Sequence, residues 1–133
     1  MDLLAPALAR LPRLAHLIFS ANHMGDSEVA ALAVHLGHLT ALTSLSMYIV
    51  FLSGAGAAAL APALGRLSRL VSLDLSGNRL GDGSVPVLAA ALARLAALRM
   101  LNLSDNSFSV EGRAQLLAAV PAGVRAASWC TVW

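Results

Sequence analysis

The sequence repeats itself every 28 residues, and this period constrains the fold more than any other feature. One position in each copy is taken by Asn22, Val50, Asn78 and Asn106. Leucines recur around that position at fixed offsets, and in the third copy they are Leu67, Leu70, Leu73, Leu75 and Leu80. A fixed period of this length indicates a solenoid, in which each unit buries its apolar face against its neighbours.

The third copy shows the local structure expected for one unit. Leu73 and Leu75 alternate with polar residues, which predicts a short strand with one buried face. Turn residues follow, and apolar residues then recur at intervals of three and four between positions 85 and 95, which predicts a helix. Asp82 or Ser84 is expected to cap the first turn of that helix.

Repetition of strand, turn and helix predicts a parallel sheet. Neighbouring strands lie about 4.8 Å apart, whereas packed helices need about 8–10 Å, so the stack curves with the strands on the concave wall. The predicted fold is a right-handed α/β solenoid, a short horseshoe that forms a single domain over residues 1–133. It contains about four repeats plus half-repeats at both ends. The same spacing places Trp129 opposite Leu101 in a last strand.

The segments Leu70–Leu80 and Leu98–Phe108 follow the pattern LxxLxLxxNxL, with Phe108 at the last position. This pattern resembles a leucine-rich repeat. The 28-residue period and the alanine-rich helices resemble the ribonuclease-inhibitor-like subclass, which includes the repeat regions of NOD-like receptors and of Ran GTPase-activating proteins. The resemblance covers essentially the whole chain. It implies a non-catalytic module that binds another protein through the concave wall and adjoining loops.

The repeated asparagine has a predicted structural role, because its amide can both donate to and accept from the backbone of a buried turn. Asn22, Asn78 and Asn106 are therefore expected to be structural turn residues. Val50 cannot do this, and an unpaired buried polar group costs roughly 1–3 kcal/mol. The second copy is thus the expected weak point, and Val50→Asn is expected to raise the melting temperature.

Strand residues that point away from the leucine core define the predicted binding surface. Most are small and polar, and Ile18 and Tyr48 stand out as candidate contact anchors. The alternative is that these apolar residues are drift without function. The predicted protein-binding residues are Ile18, Ser20, Ser46, Tyr48, Asp74, Ser76, Asn102 and Ser104.

The charge balance gives little support for nucleic acid as a partner. The chain is 58% hydrophobic and 12% charged, and its net charge of +2 arises from arginines without any lysine. Such a net charge is a weak field on a chain of this length. Seven cations recur at two repeat positions, namely Arg10, His38, Arg66 and Arg94 at one and Arg13, Arg69 and Arg125 at the other. They are expected to offset helix dipoles, or else to form an anion-binding row.

No cofactor, metal or catalytic centre is predicted. His35 and His38 are three residues apart but have no further ligands near them in the sequence. Cys130 is the only cysteine, which favours a reducing compartment and therefore the cytoplasm. It lacks the neighbouring acid that accompanies the catalytic cysteine of some leucine-rich-repeat ubiquitin ligases, because Val132 occupies that position.

Two alternatives to a simple binding module stay open, together with self-association of the chain. The chain could regulate an enzyme, as an inhibitor or in the manner of a GTPase activator, although no motif places the required residue. The stretch 29–65 contains no charged residue and is long enough to span a bilayer, although it keeps the leucine register. Neither terminus carries a convincing polar cap, which allows end-to-end self-association. The identity of a protein partner is not encoded in any motif.

Overall fold

The computed structural model describes residues 4–126, in which helices and strands alternate along the chain. The helices are α1 (Leu4–Leu8), α2 (Asp26–Leu36), α3 (Gly54–Leu64), α4 (Val85–Ala93) and α5 (Val110–Ala119). The strands are β1 (His16–Ile18), β2 (Ser44–Ser46), β3 (Ser72–Asp74), β4 (Met100–Asn102) and β5 (Arg125–Ala126). A short 3-10 turn, Asp82–Ser84, precedes α4. The fold is the expected leucine-rich-repeat α/β solenoid.

The five strands form one parallel sheet in the order β1-β2-β3-β4-β5. Leu17 pairs with Leu45, Leu45 with Leu73, and Leu73 with Leu101, which confirms the 28-residue register over four strands.

The register of the last strand differs from the expectation. Leu101 pairs with Ala126, so the predicted pairing of Leu101 with Trp129 is wrong. The connection at 120–124 is shorter than those at 37–43 and 65–71, and it turns through Pro121 and Gly123, whose φ is +91°. Trp129 and Cys130 lie outside the described residues.

The repeated leucines form one continuous core between the sheet and the helices. Leu45, Leu73 and Leu101 are at most 1% exposed. The uncharged stretch 29–65 is distributed over α2, β2 and α3. The helices α2 and α3 have 11 residues each. Among the described residues, no helix combines the length and hydropathy needed to cross a membrane.

Asn78 ties its own repeat to the preceding one. Its Nδ2 donates to the carbonyl oxygen of Met47 at 2.8 Å, and its Oδ1 accepts from the N–H groups of Val50 and Leu52 at 3.1 and 3.0 Å. Nδ2 also donates to two carbonyls in its own turn. Asn106 repeats the pattern one unit later and accepts from the N–H of Leu80 at 3.0 Å. Each turn asparagine therefore stabilises the turn before its own.

This direction corrects two expectations about the asparagine position. Asn78 satisfies the backbone of the second turn. An asparagine at position 50 would reach the first turn in the same way, so Val50 leaves the first turn, and not the second, without this amide. Asn22 is exposed and makes a single 3.4 Å bond to the carbonyl of Ser20, so it does not satisfy a buried turn within the described chain.

A second kind of link joins neighbouring repeats, and it occurs at every other interface between repeats. Asp26 Oδ1 accepts from the N–H of Ser53 at 2.8 Å, and its Oδ2 accepts from the Ser53 hydroxyl. Asp82 Oδ1 accepts from the N–H of Ser109 at 2.9 Å. Ser53 and Ser109 are the N-cap residues of α3 and α5, so each aspartate reaches the start of the next repeat's helix.

These links replace the predicted capping of α4 by Asp82 or Ser84. Asp82 bonds to the following repeat, and the Ser84 hydroxyl donates to the carbonyl of Gly81 at 2.6 Å. Gly56 and Gly112 leave room for the two carboxylates, because a Cβ at either glycine would collide with the facing aspartate. Gly54 occupies the aspartate position of the second repeat. The interface between the second and third repeats therefore lacks this link and depends on Asn78.

The aspartate links lower the pKa of both carboxyl groups. Burial by itself raises the pKa of Asp26. The hydroxyl and N–H of Ser53, the N–H of Gly56 and the charge of Arg79 outweigh that effect, so the net pKa lies below the ordinary value. The hydroxyl and N–H of Ser109 likewise lower the pKa of Asp82. Both carboxylates are therefore stabilised in the folded chain.

Candidate protein-binding surface

The open side of the sheet presents two rows of side chains across neighbouring strands. The row nearer the C-terminal ends of the strands contains Ile18, Ser46, Asp74 and Asn102. The other row contains His16, Ser44, Ser72 and Met100. Parallel pairing places row neighbours about 4.8 Å apart, so each row forms a continuous strip across four repeats.

The polar residues of the third and fourth repeats bond to one another. Asp74 Oδ1 accepts from the N–H and hydroxyl of Ser76 at 2.9 and 2.5 Å. Asn102 Oδ1 accepts from the N–H and hydroxyl of Ser104 at 3.1 and 2.8 Å, and its Nδ2 donates to the Ser76 hydroxyl at 3.3 Å. Ser76 and Ser104, which are predicted to contact a partner, are buried, and their hydroxyl groups orient Asp74 and Asn102.

The first and second repeats present an apolar surface instead. Ile18 is 68% exposed and Tyr48 is 39% exposed. Ser20 and Ser46 lie between them, with their hydroxyl oxygens 3.2 Å apart. Strand spacing and rise place Ile18 and Tyr48 about 8 Å apart on the same side of the sheet. We call these two side chains the apolar patch.

The Tyr48 ring lies against Gly77 of the next repeat. A Cβ at Gly77 would lie 3.0 Å from Tyr48 Cε2 and 2.7 Å from Ile49 Cγ1, so the absence of a side chain at Gly77 makes this packing possible. Gly77 has φ +67°, and Ile49 occupies the same repeat position with φ +51°. This conformation costs an L-residue roughly 1–2 kcal/mol, and Ile49 adopts it where the third repeat has glycine.

The turns beside the apolar patch carry a ladder that the sequence analysis missed. The rings of His23 and Phe51 stack with centroids 5.3 Å apart and planes inclined by 8°. The Arg79 guanidinium lies 4.9 Å from the Phe51 centroid. The three residues occupy one repeat position, so the 28-residue spacing was the signal that could have revealed them. His23 is therefore part of an aromatic stack between neighbouring repeats.

No metal centre is evident within residues 4–126, where no group of three or more His, Cys, Asp or Glu side chains converges. His35 lies in α2 and His38 lies just beyond its C-terminal end. The described surface therefore offers hydrogen-bonding, aromatic and apolar contacts.

Comparison with known proteins supports the repeat assignment. The family model for the Leucine Rich Repeat matches residues 69–90, which contain β3 and the first part of α4. No curated protein matches the sequence.

Solved structures with a similar fold include a leiomodin domain and a tropomodulin domain. The first is leiomodin-1 actin-binding site 2, with a TM-score of 0.74, 13% identity, and coverage of 86% of this chain and 69% of that chain. The second is the tropomodulin C-terminal domain from Caenorhabditis elegans, with a TM-score of 0.63, 12% identity, and coverage of 87% of this chain and 90% of that chain. Identities of this size show a shared fold alone.

Proposed function

We propose that this chain is a non-catalytic protein-binding module and that the apolar patch, Ile18 and Tyr48, is the centre of its contact surface. The observation that carries the proposal is the exposure of these two side chains on a sheet whose other described residues are mostly small and polar. Aromatic and large aliphatic side chains on a rigid sheet are well suited to anchor a partner. From the 28-residue period and the alanine-rich helices, we further propose the ribonuclease-inhibitor-like subclass.

The surroundings of the apolar patch define the chemistry of a fitting partner. Asp74 lies two strands from Ile18 in the same row, and its Oδ1 is occupied by Ser76. Its Oδ2 accepts no hydrogen bond from the described residues. A partner with an apolar side chain for the patch and an arginine or lysine for Asp74 satisfies both groups.

A double change, Ile18→Ser with Tyr48→Ala, tests the proposal. Each truncation is expected to cost about 1–2 kcal/mol of binding free energy, so the pair weakens binding about 30- to 1000-fold. Val34→Ser is the matched control, because Val34 is 67% exposed but lies on helix α2, away from the sheet face. Partners captured by the unmodified chain and identified by mass spectrometry are retested as purified proteins against each variant.

Purified actin filaments are a practical first probe, because leiomodin-1 actin-binding site 2 shares the fold. Co-sedimentation that disappears with the double change and persists with Val34→Ser supports binding through the apolar patch. If every captured partner binds the double variant and the unmodified chain equally well, the sheet face is not the contact surface. Circular dichroism spectra that superimpose establish that the variants keep the fold.

A further inference from the structure

Six arginines and the acidic side chains of the described chain lie at opposite ends of the strands, and Arg79 and Arg113 lie on the acidic side. The loops that lead into the strands, 9–15, 37–43, 65–71 and 94–99, contain no acidic residue. They carry six exposed arginines, which we call the arginine edge: Arg10, Arg13, Arg66, Arg69, Arg94 and Arg99. The acidic residues of the described chain lie at the C-terminal ends of the strands, in the turns that follow them and at the starts of the helices: Asp26, Glu28, Asp74, Asp82, Asp105 and Glu111.

Helix dipoles account for part of this segregation. Gly37 and Gly65 are the C-cap residues of α2 and α3. A Cβ at Gly37 would lie 3.3 Å from Arg66 Cδ, and one at Gly65 would lie 3.3 Å from Arg94 Cδ. These two arginines therefore extend over the C-terminal end of the preceding repeat's helix, where a cation is stabilised.

The dipoles leave most of the positive charge without compensation. A helix C-terminus is equivalent to about −0.5 charge, so α1 to α4 together supply about −2 against six guanidinium charges. Arg99 donates to the carbonyls of Ala96 and Leu98 at 3.1 and 2.7 Å, which orders its side chain but neutralises nothing. Within residues 4–126, none of the six guanidinium groups hydrogen-bonds to a carboxylate.

We propose that the arginine edge binds an acidic, extended segment of a partner protein, with carboxylates at every second or third residue. The loops before β1, β3 and β4 carry two arginines each, and the loop before β2 has His38 instead. The repeat pitch lies between the strand spacing of about 4.8 Å and the helix spacing of about 8–10 Å. Alternate side chains of an extended segment are about 6.6 Å apart. Guanidinium groups hold carboxylates through paired hydrogen bonds, which suits arginine without lysine.

Other polyanions fit this edge less well. The four loops contain no phenylalanine, tyrosine or tryptophan on which the bases of a single-stranded nucleic acid could stack. Leu11 and Val71, 47% and 38% exposed, are their large exposed apolar side chains, and the loops hold no tryptophan or phenylalanine to anchor in a bilayer interface. The proposal does not depend on the apolar patch, which lies on the face of the sheet.

Fluorescence anisotropy with a labelled peptide of alternating glutamate and serine, about ten residues long, tests the proposal at low and moderate salt. Binding is expected to be at least tenfold tighter than to the matching glutamine–serine peptide. The double variant R69Q/R94Q is expected to weaken binding about tenfold or more. The control variant R79Q/R113Q removes the same charge from the opposite side and is expected to change the affinity less than twofold.

Four outcomes overturn the proposal. Equal loss in both double variants shows that net charge alone attracts the peptide. If a peptide with its glutamates in one block binds as tightly as the alternating peptide, the proposed spacing of carboxylates is wrong. Tighter binding of oligothymidylate, or of phosphatidylserine vesicles, than of the alternating peptide assigns the arginine edge to a different class of anion. Circular dichroism on both variants separates lost binding from lost folding.

Discussion

Replacement of Asn78 by alanine is expected to be the most damaging single change among the turn asparagines. Asn78 is 7% exposed and makes five hydrogen bonds, three of them to the preceding repeat. The interface that it holds, between the second and third repeats, has no aspartate link because Gly54 stands at that position. No other described side chain reaches the backbone groups that Asn78 satisfies in the second turn.

The expected magnitude follows from the groups that lose their partner. In Asn78→Ala, the N–H groups of Val50 and Leu52 and the carbonyl of Met47 are left unpaired. The carbonyls of Leu75 and Ser76 also lose the Asn78 amide, but each keeps a second donor. Asn106 Nδ2 donates to Leu75, and the N–H of Ile49 donates to Ser76. An unpaired buried group costs roughly 1–3 kcal/mol, and water reaching part of the turn places the sum near the lower end, at about 3–5 kcal/mol. Small domains have only about 5–15 kcal/mol of stability in total.

Urea unfolding followed by circular dichroism measures this loss directly. Asn22→Ala is the matched control, because Asn22 is exposed and makes one long bond, so its loss is expected to change stability by about 0.5 kcal/mol or less. Asn106→Ala is expected to fall between the two, since the link from Asp82 to Ser109 persists at that interface. A loss in Asn78→Ala no larger than in Asn22→Ala refutes the reasoning. A smaller slope of the unfolding free energy against urea concentration in Asn78→Ala indicates that the repeats before and after this interface unfold separately.

Three other changes have predicted outcomes. Gly77→Ala is expected to lower stability by about 1–3 kcal/mol in urea unfolding and to alter the near-ultraviolet signal of Tyr48, because φ is +67° and the new Cβ meets the ring. Asp26 and Asp82 have lowered pKa values in the folded chain, so their stabilisation is complete above about pH 5 and is lost as the pH falls through the ordinary and then the lowered pKa. Thermal unfolding between pH 3 and 7 is expected to be less pH-dependent when both are replaced by asparagine, and an unchanged dependence contradicts the role of the links. Val50→Asn is expected to raise the melting temperature, because the new amide reaches the first turn; an unchanged or lower value contradicts that geometry.

Much of the fold was predictable because it depends on side-chain direction within one repeat. Alternation around Leu73 identified β3, and the spacing of apolar residues identified α4, since these periods determine which face is buried. Identical spacing of four copies then placed Leu17, Leu45 and Leu73 in register. Within the candidate site, strand alternation predicted the exposure of Ile18 and Tyr48, whereas it did not predict the burial of Ser76, which bonds to Asp74.

The links between repeats were decided by the tertiary structure. Sequence spacing shows that Asn78 and Asp82 recur, but the separation and tilt of neighbouring units determine which backbone each side chain reaches. Asn78 reaches back to the second turn, while Asp82 reaches forward to Ser109. Pairing of Ala126 with Leu101 likewise depends on how the chain closes its last loop.

The sequence by itself therefore determined what each repeat is: a strand, a turn and a helix with a leucine core, stacked in parallel. Only the tertiary structure decided how the repeats hold one another and which side chains meet at the surface, including the His23, Phe51 and Arg79 ladder. The physical reason is that hydrophobic periodicity acts within a few residues of the chain. Hydrogen bonds and aromatic contacts between units depend on distances that exist only after stacking.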